Sequence, residues 1–363
     1  MRYAMIMAGG SGTRLWPMSR ADQPKQLIPL FGGRSLLQVA VDRLAGRLPP
    51  ERIFVCAAAA YRDQVLAALP ELSPAQYLSE PVGRDTLNAV GYPAAVLARD
   101  DPEAVIAVFT ADHLITPIDV FQRLVEQAFE LAEEQPRTLV TFGITPTGPA
   151  TGYGYLELGE PVSPTSRRVR QFREKPDLAT AQAWVAAGPD EYLWNSGMFV
   201  WRAATLLDCL ARYEPATHAG LTEIAAAWDT PVRDETLARV YPTLRKISVD
   251  FAIMEPASRD ATVQVAAIPM ALDWLDVGSW PTFARTCEHD ADDNALAARH
   301  ILLDTRGTLV ASNDPDHLIA TIGCADLIII HTPRATLVCR ADQAEAIKEL
   351  HRLVGERVGA EWL

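Results

Sequence analysis

The sequence predicts an α/β protein whose mixed, mostly parallel sheet is flanked by helices, with a small β-rich unit at the carboxyl end. Short apolar runs, typical of strands buried on both faces, alternate with amphipathic segments through about residue 145. Such alternation favours right-handed crossovers between parallel strands. After about residue 292, short β-rich runs separated by turn residues indicate a second, smaller unit.

The first region contains the loops in which we expect the chemistry. Its predicted strands are residues 3–8, 52–57 and 104–109. Its predicted helices are residues 36–48, for which Ser35 is the N-cap, and residues 120–131. Because ligands of parallel sheets bind beyond the carboxyl ends of the strands, the loops after residues 8 and 109 are the candidates.

The rest of the chain has a mixed and then a β-rich pattern. The middle part has predicted strands over residues 155–158 and 198–201 and predicted helices over residues 178–187 and 249–255. The β-rich part has predicted strands over residues 300–303, 307–311, 317–322, 327–331 and 335–340, and a final helix over residues 344–354. We therefore expect a catalytic domain over residues 1–285 and a small carboxyl-terminal domain over residues 286–363.

Composition and charge exclude several classes of protein. Lys plus Arg number 33 and Asp plus Glu number 46, so the formal net charge is −13, and we expect no binding to nucleic acid or anionic membranes. The five cysteines are odd in number and contain no Cys-x-x-Cys pair, which favours a reducing, cytoplasmic location. The apolar run before Gly9 is short for a signal peptide, and no stretch approaches the ~20 apolar residues of a membrane helix.

The loop after the first strand is rich in glycine but matches neither of two well-known phosphate loops. The dinucleotide pattern, counted from Gly10, requires glycine or alanine where Leu15 stands. The P-loop pattern, counted from Gly9, requires glycine where Arg14 stands. Glycines still allow backbone amides to approach anionic oxygens, and Arg14 and Lys25 add positive charge. A phosphate site and a plain tight turn are the two interpretations of this loop.

Residues 8–26, AGGSGTRLWPMSRADQPKQ, resemble the signature of the sugar-1-phosphate nucleotidyltransferases. They are most similar to the mannose-1-phosphate guanylyltransferase branch of that family. The resemblance continues in order through EPVGRDT (80–86), ADH (111–113), FREKP (172–176), WNSGMF (194–199) and DVGSW (276–280). It implies a Rossmann-like nucleotidyltransferase fold, with a carboxyl-terminal part similar to the left-handed β-helix of the shorter family members.

The resemblance also implies an activity. The expected reaction transfers GMP from GTP to α-D-mannose 1-phosphate, with Mg²⁺, and yields GDP-mannose and pyrophosphate by direct attack of the sugar phosphate on the α-phosphate. Two alternatives stay open: a nucleotidyltransferase for another hexose 1-phosphate or nucleotide, and a non-catalytic homologue that senses a nucleotide sugar. Exposed strand edges and the family pattern favour a homodimer.

The family motifs assign a role to each candidate residue. The catalytic residues implied are Arg14, Lys25, Asp112 and Asp276, of which the two aspartates would bind the metal. The nucleotide-binding residues implied are Ala8, Gly9, Gly10, Ser11, Gly12, Thr13, Arg14, Gly83, Arg84, Asp85, Thr86 and Asp112. The sugar-binding residues implied are Gly154, Glu174, Lys175, Asn195 and Asp276.

Each of these roles has a structural alternative. An isolated aspartate is often a cap or turn residue, and Asp85 is equally suited to capping a helix or to facing the base. Glu174 and Lys175 also fit an ordinary exposed ion pair. Asn195 also fits a turn, and Tyr153 beside Gly154 also fits plain packing. The sequence departs from the family after Thr86, where Leu-Asn-Ala replaces the usual Ala-Pro-Ala, which leaves base specificity open.

Overall fold

The structure is a computed structural model, and it describes residues 1–10 and 12–363. In chain order, the strands are β1 (Arg2–Met7), β2 (Ile53–Ala58), β3 (Tyr77–Glu80), β4 (Val105–Thr110), β5 (His113–Thr116), β6 (Thr138–Ile144), β7 (Tyr155–Ser163), β8 (Ser166–Arg173), β9 (Tyr192–Arg202), β10 (Gln264–Met270), β11 (Asp273–Asp276), β12 (Glu288–His289), β13 (Ala295–Ala297), β14 (Arg299–Leu303), β15 (Leu309–Ser312), β16 (Leu318–Ile322), β17 (Leu327–His331) and β18 (Thr336–Arg340).

The α-helices lie mainly between the strands of the first three quarters of the chain. They are α1 (Leu36–Asp42), α2 (Arg62–Ala68), α3 (Asp85–Asp100), α4 (Ile118–Glu134), α5 (Leu178–Ala187), α6 (Ala203–Tyr213), α7 (Pro215–Ala226), α8 (Arg233–Val240), α9 (Glu255–Ala257), α10 (Trp280–Ala284) and α11 (Ile347–Arg357). Among the described residues, none of these helices combines the length and the apolar character that crossing a bilayer requires.

The largest sheet has nine strands in the order β3-β2-β1-β4-β9-β6-β10-β8-β7. The half formed by β3, β2, β1 and β4 is parallel. The other half is mixed, because β9 runs antiparallel to β4 and β6 while β10 runs parallel to β6. The predicted α/β fold with a mixed sheet is confirmed. Met7 lies opposite Thr110, so β1 and β4 end side by side at one edge of the sheet.

The carboxyl-terminal strands wind as a β-helix. β13, β15 and β17 pair in parallel in one sheet, and the strands between them, β14 and β16, pair in parallel in another. An isolated parallel bridge joins Arg306 to Ala325 between these sheets. Successive strands that alternate between sheets are what the coils of a β-helix produce. The predicted β-helix-like unit is therefore confirmed.

The described residues group into two compact units. The first contains Met1–Gly9, Ala40–Ala111 and Ile115–Trp274, and so the whole nine-stranded sheet. The second contains Gly10–Val39, Asp112–Leu114 and Leu275–Leu363. The boundary between residues 285 and 286 stays a prediction, and this grouping places residues from both sides of it in the second unit.

The second unit has an apolar core of its own. Trp16 from the glycine-rich loop region and Trp280 from α10 pack in one cluster with Leu309 and Ile328 from the β-helix. The indole of Trp280 is fully buried and donates a hydrogen bond to the Trp16 carbonyl at 3.0 Å. The β-helix therefore shares its core with the segment that carries the first family motif.

Two predicted helices differ from what the structure contains. Residues 36–48 begin as predicted, because Ser35 and Gln38 cap each other reciprocally. However, α1 ends at Asp42, after which the chain tightens into i to i+3 turns and reaches Gly46 with φ 74°. Residues 249–255 form a π-helical turn over Asp250–Met254 rather than a regular α-helix.

Trp280→Ala tests how far the second unit depends on the shared core. Removal of a fully buried indole leaves a cavity and an unpaired carbonyl, so we expect a loss of about 3–5 kcal/mol in the free energy of unfolding. Urea denaturation followed by circular dichroism measures it. Leu178→Ala, at a half-exposed side chain of α5, is the control and is expected to change stability by about 0.5 kcal/mol or less. Equal effects of the two substitutions would contradict a core role for Trp280.

Candidate active site

The glycine-rich loop follows β1 and turns into a short 3₁₀ helix over Thr13–Leu15. Gly12 has φ 60°, and a Cβ atom at this position would lie 2.4 Å from Ser19 Oγ and 2.9 Å from Lys25 Cβ. Glycine is therefore required both by the backbone conformation and by the close approach of two side chains. Ser11, which the sequence assigns to nucleotide binding, lies outside the described residues.

Lys25 and Asp112 form a short ion pair, 2.5 Å between Nζ and Oδ2. The lysine side chain is only 11% exposed. Burial by itself raises the pKa of Asp112, but the Lys25 ammonium, assisted by His113, reverses this and holds the pKa well below its ordinary value. The aspartate is therefore an anion in the folded protein, and an aspartate paired in this way is not a plain turn residue.

Asp276, at the end of β11, is the second carboxylate of this cluster. The amide of the next residue, Val277, donates to the Asp112 carbonyl at 3.0 Å, which fixes the two aspartates close together. Burial, and then the negative charge of Asp112, raise the pKa of Asp276 to about 6, against the opposing charges of Lys25 and Arg14. Once Asp276 is ionised, the two carboxylates carry two negative charges, and Lys25 neutralises one of them.

These aspartates, together with His113, have the composition of a cation site. One ligand atom from each of Asp112, His113 and Asp276 lies within 4.8 Å of the others. The raised pKa of Asp276 has its cause in burial and in crowding with Asp112, and a bound cation relieves such crowding. The residues therefore fit a divalent metal. The His113 ring is buried and lies 3.8 Å from the Asp112 carboxylate.

Arg14 completes the group of charged residues in the second unit. Its Nη1 atom lies 3.1 Å from the carboxylate of Glu345, which is 71% exposed. On the other side, Gly278 approaches so closely that a Cβ atom there would lie 3.0 Å from Arg14 Nη2. Arg14, Lys25, Asp112 and Asp276 thus lie in one cluster. Glu345 was missed, because nothing in its local sequence distinguishes it from other surface glutamates.

The carboxyl-terminal segment contacts the same loop region. The Trp16 indole donates to the carbonyl of Trp362 at 2.9 Å. A backbone hydrogen bond of 3.0 Å joins the Ala21 amide to the Leu363 oxygen. The segment between Arg14 and Lys25 is therefore hydrogen bonded both to the carboxyl-terminal residues and, through the Trp16 carbonyl, to Trp280.

A second polar cluster lies in the first unit, around Glu174. Its carboxylate is 9% exposed and is 3.2 Å from the Lys175 ammonium. A Cβ atom on Gly154 would lie 2.4 Å from Glu174 Oε2, so a side chain at this position would displace the Glu174 carboxylate. Lys175 adopts φ 48°, a conformation that costs energy for a residue with a side chain. The burial of Glu174 and this geometry distinguish it from an ordinary exposed ion pair.

Asn195 lies inside β9, so the alternative that placed it in a turn is wrong. Its Oδ1 atom is 2.8 Å from Thr141 Oγ1 on β6, and its Nδ2 atom is 3.0 Å from Asp250 Oδ1. Sequence reasoning missed Asp250, although it is an acidic residue within an otherwise apolar helical pattern. Burial, and then the charge of Glu174, raise its pKa to about 7.

The aromatic residues beside this cluster pack against one another, which is the packing alternative predicted for Tyr153. The Tyr153 ring lies 5.1 Å from Trp194 and 5.5 Å from Trp274, between centroids. The packing alternative is therefore realised for Tyr153. The sugar-binding role of Gly154 stays a prediction.

The loop of Gly83, Arg84, Asp85 and Thr86 precedes and begins α3. Asp85 has φ 66°, and its carboxylate accepts a hydrogen bond from the Thr86 amide at 2.8 Å. This bond reaches only the adjacent amide, and α3 has no side-chain N-cap hydrogen bond, so the structure does not realise the capping alternative for Asp85. The negative charge of Asp85 also acts on Glu174, whose pKa is raised chiefly by burial. Ala8 and Gly9 lie in the same unit, at the end of β1.

Asp276→Asn tests the charge crowding by the dependence of stability on pH. Because the pKa of Asp276 is raised in the folded state, the folded protein loses stability as the pH rises from the unfolded value of 3.8 through about 6. Asparagine removes this loss. In EDTA, we expect the melting temperature of the variant, relative to wild type, to rise between pH 4.5 and 8. Asp316→Asn, at an exposed aspartate, is the control; the same pH trend in both variants would contradict the assignment.

Comparison with known proteins agrees with this geometry. The family model of nucleotidyl transferases matches residues 3–293, and that of the MannoseP isomerase/GMP-like β-helix domain matches residues 298–353. The chain is 36% identical over 352 residues to the xanthan biosynthesis protein XanB of Xanthomonas campestris pv. campestris (strain B100), covering 95% of this chain and 72% of XanB. It is 36% identical over 361 residues to the mannose-1-phosphate guanylyltransferase of Escherichia coli (strain K12), covering 96% and 72%.

A solved structure agrees over nearly the whole length. The crystal structure of mannose-1-phosphate geranyltransferase from Thermus thermophilus superposes with a TM-score of 0.85 at 32% identity, covering 97% of this chain and 99% of that one. The similarity therefore includes the β-helix as well as the sheet. The chain belongs to the nucleotidyl transferase family, in the group that carries a GMP-like β-helix domain.

Proposed function

We propose that this protein transfers GMP from GTP to α-D-mannose 1-phosphate and releases GDP-mannose and pyrophosphate. The proposal depends chiefly on the cluster of Arg14, Lys25, Asp112 and Asp276, in which two cationic side chains lie beside two partly buried carboxylates. That charge pattern suits a triphosphate with a divalent cation. The names of the full-length relatives support mannose 1-phosphate as the acceptor.

The reaction is a direct displacement at phosphorus. A phosphate oxygen of the sugar 1-phosphate forms a bond to the α-phosphorus of GTP, and the bond between that phosphorus and the β-phosphate bridging oxygen breaks. The electron pair leaves with pyrophosphate. Catalysis then consists of placing the two phosphates in line and neutralising their charge. A covalent enzyme intermediate is not needed.

Each residue of the cluster has a role that follows from its charge and position. Arg14 provides a planar set of donors for the departing pyrophosphate. To do so, the Arg14 side chain breaks its ion pair with Glu345. Lys25 keeps Asp112 ionised and faces the reacting phosphates. Asp112 and Asp276 hold Mg²⁺, since hard carboxylate oxygens suit that ion better than the His113 imidazole. When bound, Mg²⁺ withdraws charge from phosphate oxygens.

Backbone and side-chain groups outside this cluster complete the substrate contacts. The amides from Ala8 to Thr13 approach the triphosphate, and the loop of Gly83, Arg84, Asp85 and Thr86 faces the nucleoside. Glu174 accepts hydrogen bonds from sugar hydroxyls, Lys175 meets the sugar phosphate, and Asn195 offers a donor and an acceptor. Gly154 leaves room for the sugar beside Glu174.

We also propose a homodimer in a reducing cytoplasm. The outer face of β14 and β16 exposes Ile301, Leu303, Leu318 and Ile322, an apolar surface that a second copy is able to cover. All five cysteines are free thiols, as a reducing compartment maintains them. Light scattering after size exclusion measures the mass, and a monomer at micromolar concentration would contradict the dimer.

Pyrophosphate release across a matrix of nucleoside triphosphates and hexose 1-phosphates tests the proposed reaction. We expect turnover to be fastest with GTP and mannose 1-phosphate and to require a divalent cation. Preference for UTP or dTTP would contradict GTP as the nucleotide substrate. Preference for another hexose 1-phosphate would contradict mannose 1-phosphate as the acceptor. An absence of turnover with every pair would leave a nucleotide-sugar sensor as the better description.

Asp112→Asn and Asp276→Asn test the metal-binding role. If both carboxylates hold the cation, each change should lower kcat at saturating Mg²⁺ by at least about 100-fold, equivalent to about 2.7 kcal/mol of transition-state stabilisation. Asp316→Asn is the matched control and should keep wild-type kcat. An unchanged kcat in both active-site variants would remove these residues from that role.

A further inference from the structure

Asp250 is a partly buried carboxylate in the cluster of Glu174 and Asn195, and the proposed reaction gives it no role. It begins the π-helical turn Asp250–Met254, and such turns are frequent at functional sites because they displace one residue from the regular helical position. Here the displaced region contacts the cluster of Glu174 and Asn195, as the bond from Asn195 to Asp250 shows.

The Asp250 carboxylate decides how the Asn195 amide is oriented. The NH₂ group of Asn195 can only donate hydrogen bonds, and it donates to Asp250 Oδ1 at 3.0 Å. The amide oxygen then faces the Thr141 hydroxyl, at 2.8 Å. One amide hydrogen and one lone pair of the amide oxygen remain for a ligand. With Asp250 in place, their directions are set by the strands and do not rotate with the side chain.

Asp250 is also attached to the loop that faces the nucleoside in the proposed function. The segment of residues 245–250, which we name the connecting segment, is hydrogen bonded to the start of α3 along its length. The Ile247 carbonyl accepts from the Leu87 amide at 3.2 Å, and the Val249 amide donates to Thr86 Oγ1 at 2.9 Å. Asn88 Nδ2 donates to the Arg245 carbonyl at 2.8 Å. Asp250 therefore has a fixed backbone.

The charges around Asp250 favour a ligand that donates hydrogen bonds. Glu174 and Asp250 are two carboxyls in one partly buried cluster, and Lys175 is the cation that acts on both. Asp85 and Glu255 add further negative charge to Glu174. Neutral hydroxyl groups relieve this crowding without bringing in another charge. A hexose presents several hydroxyls in a pattern that differs between epimers, so a rigid donor and acceptor pair distinguishes them.

We propose that Asp250 is the positioning residue that sets sugar specificity, because it holds the Asn195 amide in one orientation against the hydroxyls of the hexose. The inference rests on the proposed function, since it assigns the Glu174 cluster to the sugar. The Asp250 side chain acts through Asn195, whereas the link to the nucleoside loop runs through the Val249 amide, which Asp250→Asn leaves in place. Loss of the Asp250 carboxylate therefore weakens recognition of the sugar and leaves recognition of the nucleotide.

Calorimetric binding of GDP-mannose and of GDP to Asp250→Asn tests the proposal. Asparagine keeps the shape, but its own amide can turn and no longer dictates which group of Asn195 it faces. We expect the Kd for GDP-mannose to rise about tenfold and the Kd for GDP to stay within about twofold. Asp234→Asn, at an exposed aspartate of α8 in the same unit, is the matched control and should change neither. Equal weakening of both ligands, or of neither, would overturn the proposal.

Two further measurements separate positioning from a general structural role. The ratio of kcat/KM for mannose 1-phosphate over glucose 1-phosphate should fall by about tenfold in Asp250→Asn. In an Asn195→Ala background, Asp250→Asn should add less than about a twofold change, because its effect passes through the missing amide. An unchanged epimer ratio or full additivity would overturn the proposal.

If wild type turns over no substrate pair, the proposed reaction fails, while the comparison of GDP-mannose with GDP still decides the role of Asp250.

Discussion

The charge balance around Asp112 is the constraint on which the candidate active site depends. Two partly buried carboxylates, Asp112 and Asp276, lie next to each other, and removing like charges from water is costly. The Lys25 ammonium, 2.5 Å from Asp112, keeps one of them ionised. The other, Asp276, responds with a pKa raised to about 6. The folded protein therefore holds an arrangement whose remaining negative charge a divalent cation neutralises, and the cation in turn attracts a triphosphate.

The second compact unit explains how such a cluster is kept in place. The glycine-rich loop has little side-chain volume with which to fix its own conformation. Trp16 compensates, because its ring packs in the core of the β-helix and its indole bonds to Trp362. Trp280 binds the Trp16 carbonyl from the other side. In physical terms, the β-helix provides the buried apolar surface that an isolated loop lacks.

The cluster of Glu174, Asn195 and Asp250 also brings carboxyls together, but with a different balance of charge. Glu174 and Asp250 are carboxyls on which one cation, Lys175, acts. Asn195, held between Asp250 and Thr141, is neutral and has a fixed donor and acceptor. In the proposed function, the first cluster takes an ion with its phosphates, whereas this one takes neutral hydroxyls.

The sequence by itself determined the fold class, the family and most of the charged residues, because these depend on local periodicity and on short ordered motifs. It identified Arg14, Lys25, Asp112 and Asp276 without any contact information. Only the tertiary structure decided that Glu345 faces Arg14, 331 positions away, and that Asp250 accepts a hydrogen bond from Asn195, 55 positions away. A contact between distant residues leaves no local pattern, and the cost of burying a carboxylate is defined only once its neighbours are known. For that reason the motifs located the candidate residues, whereas the packing decided which groups contact them.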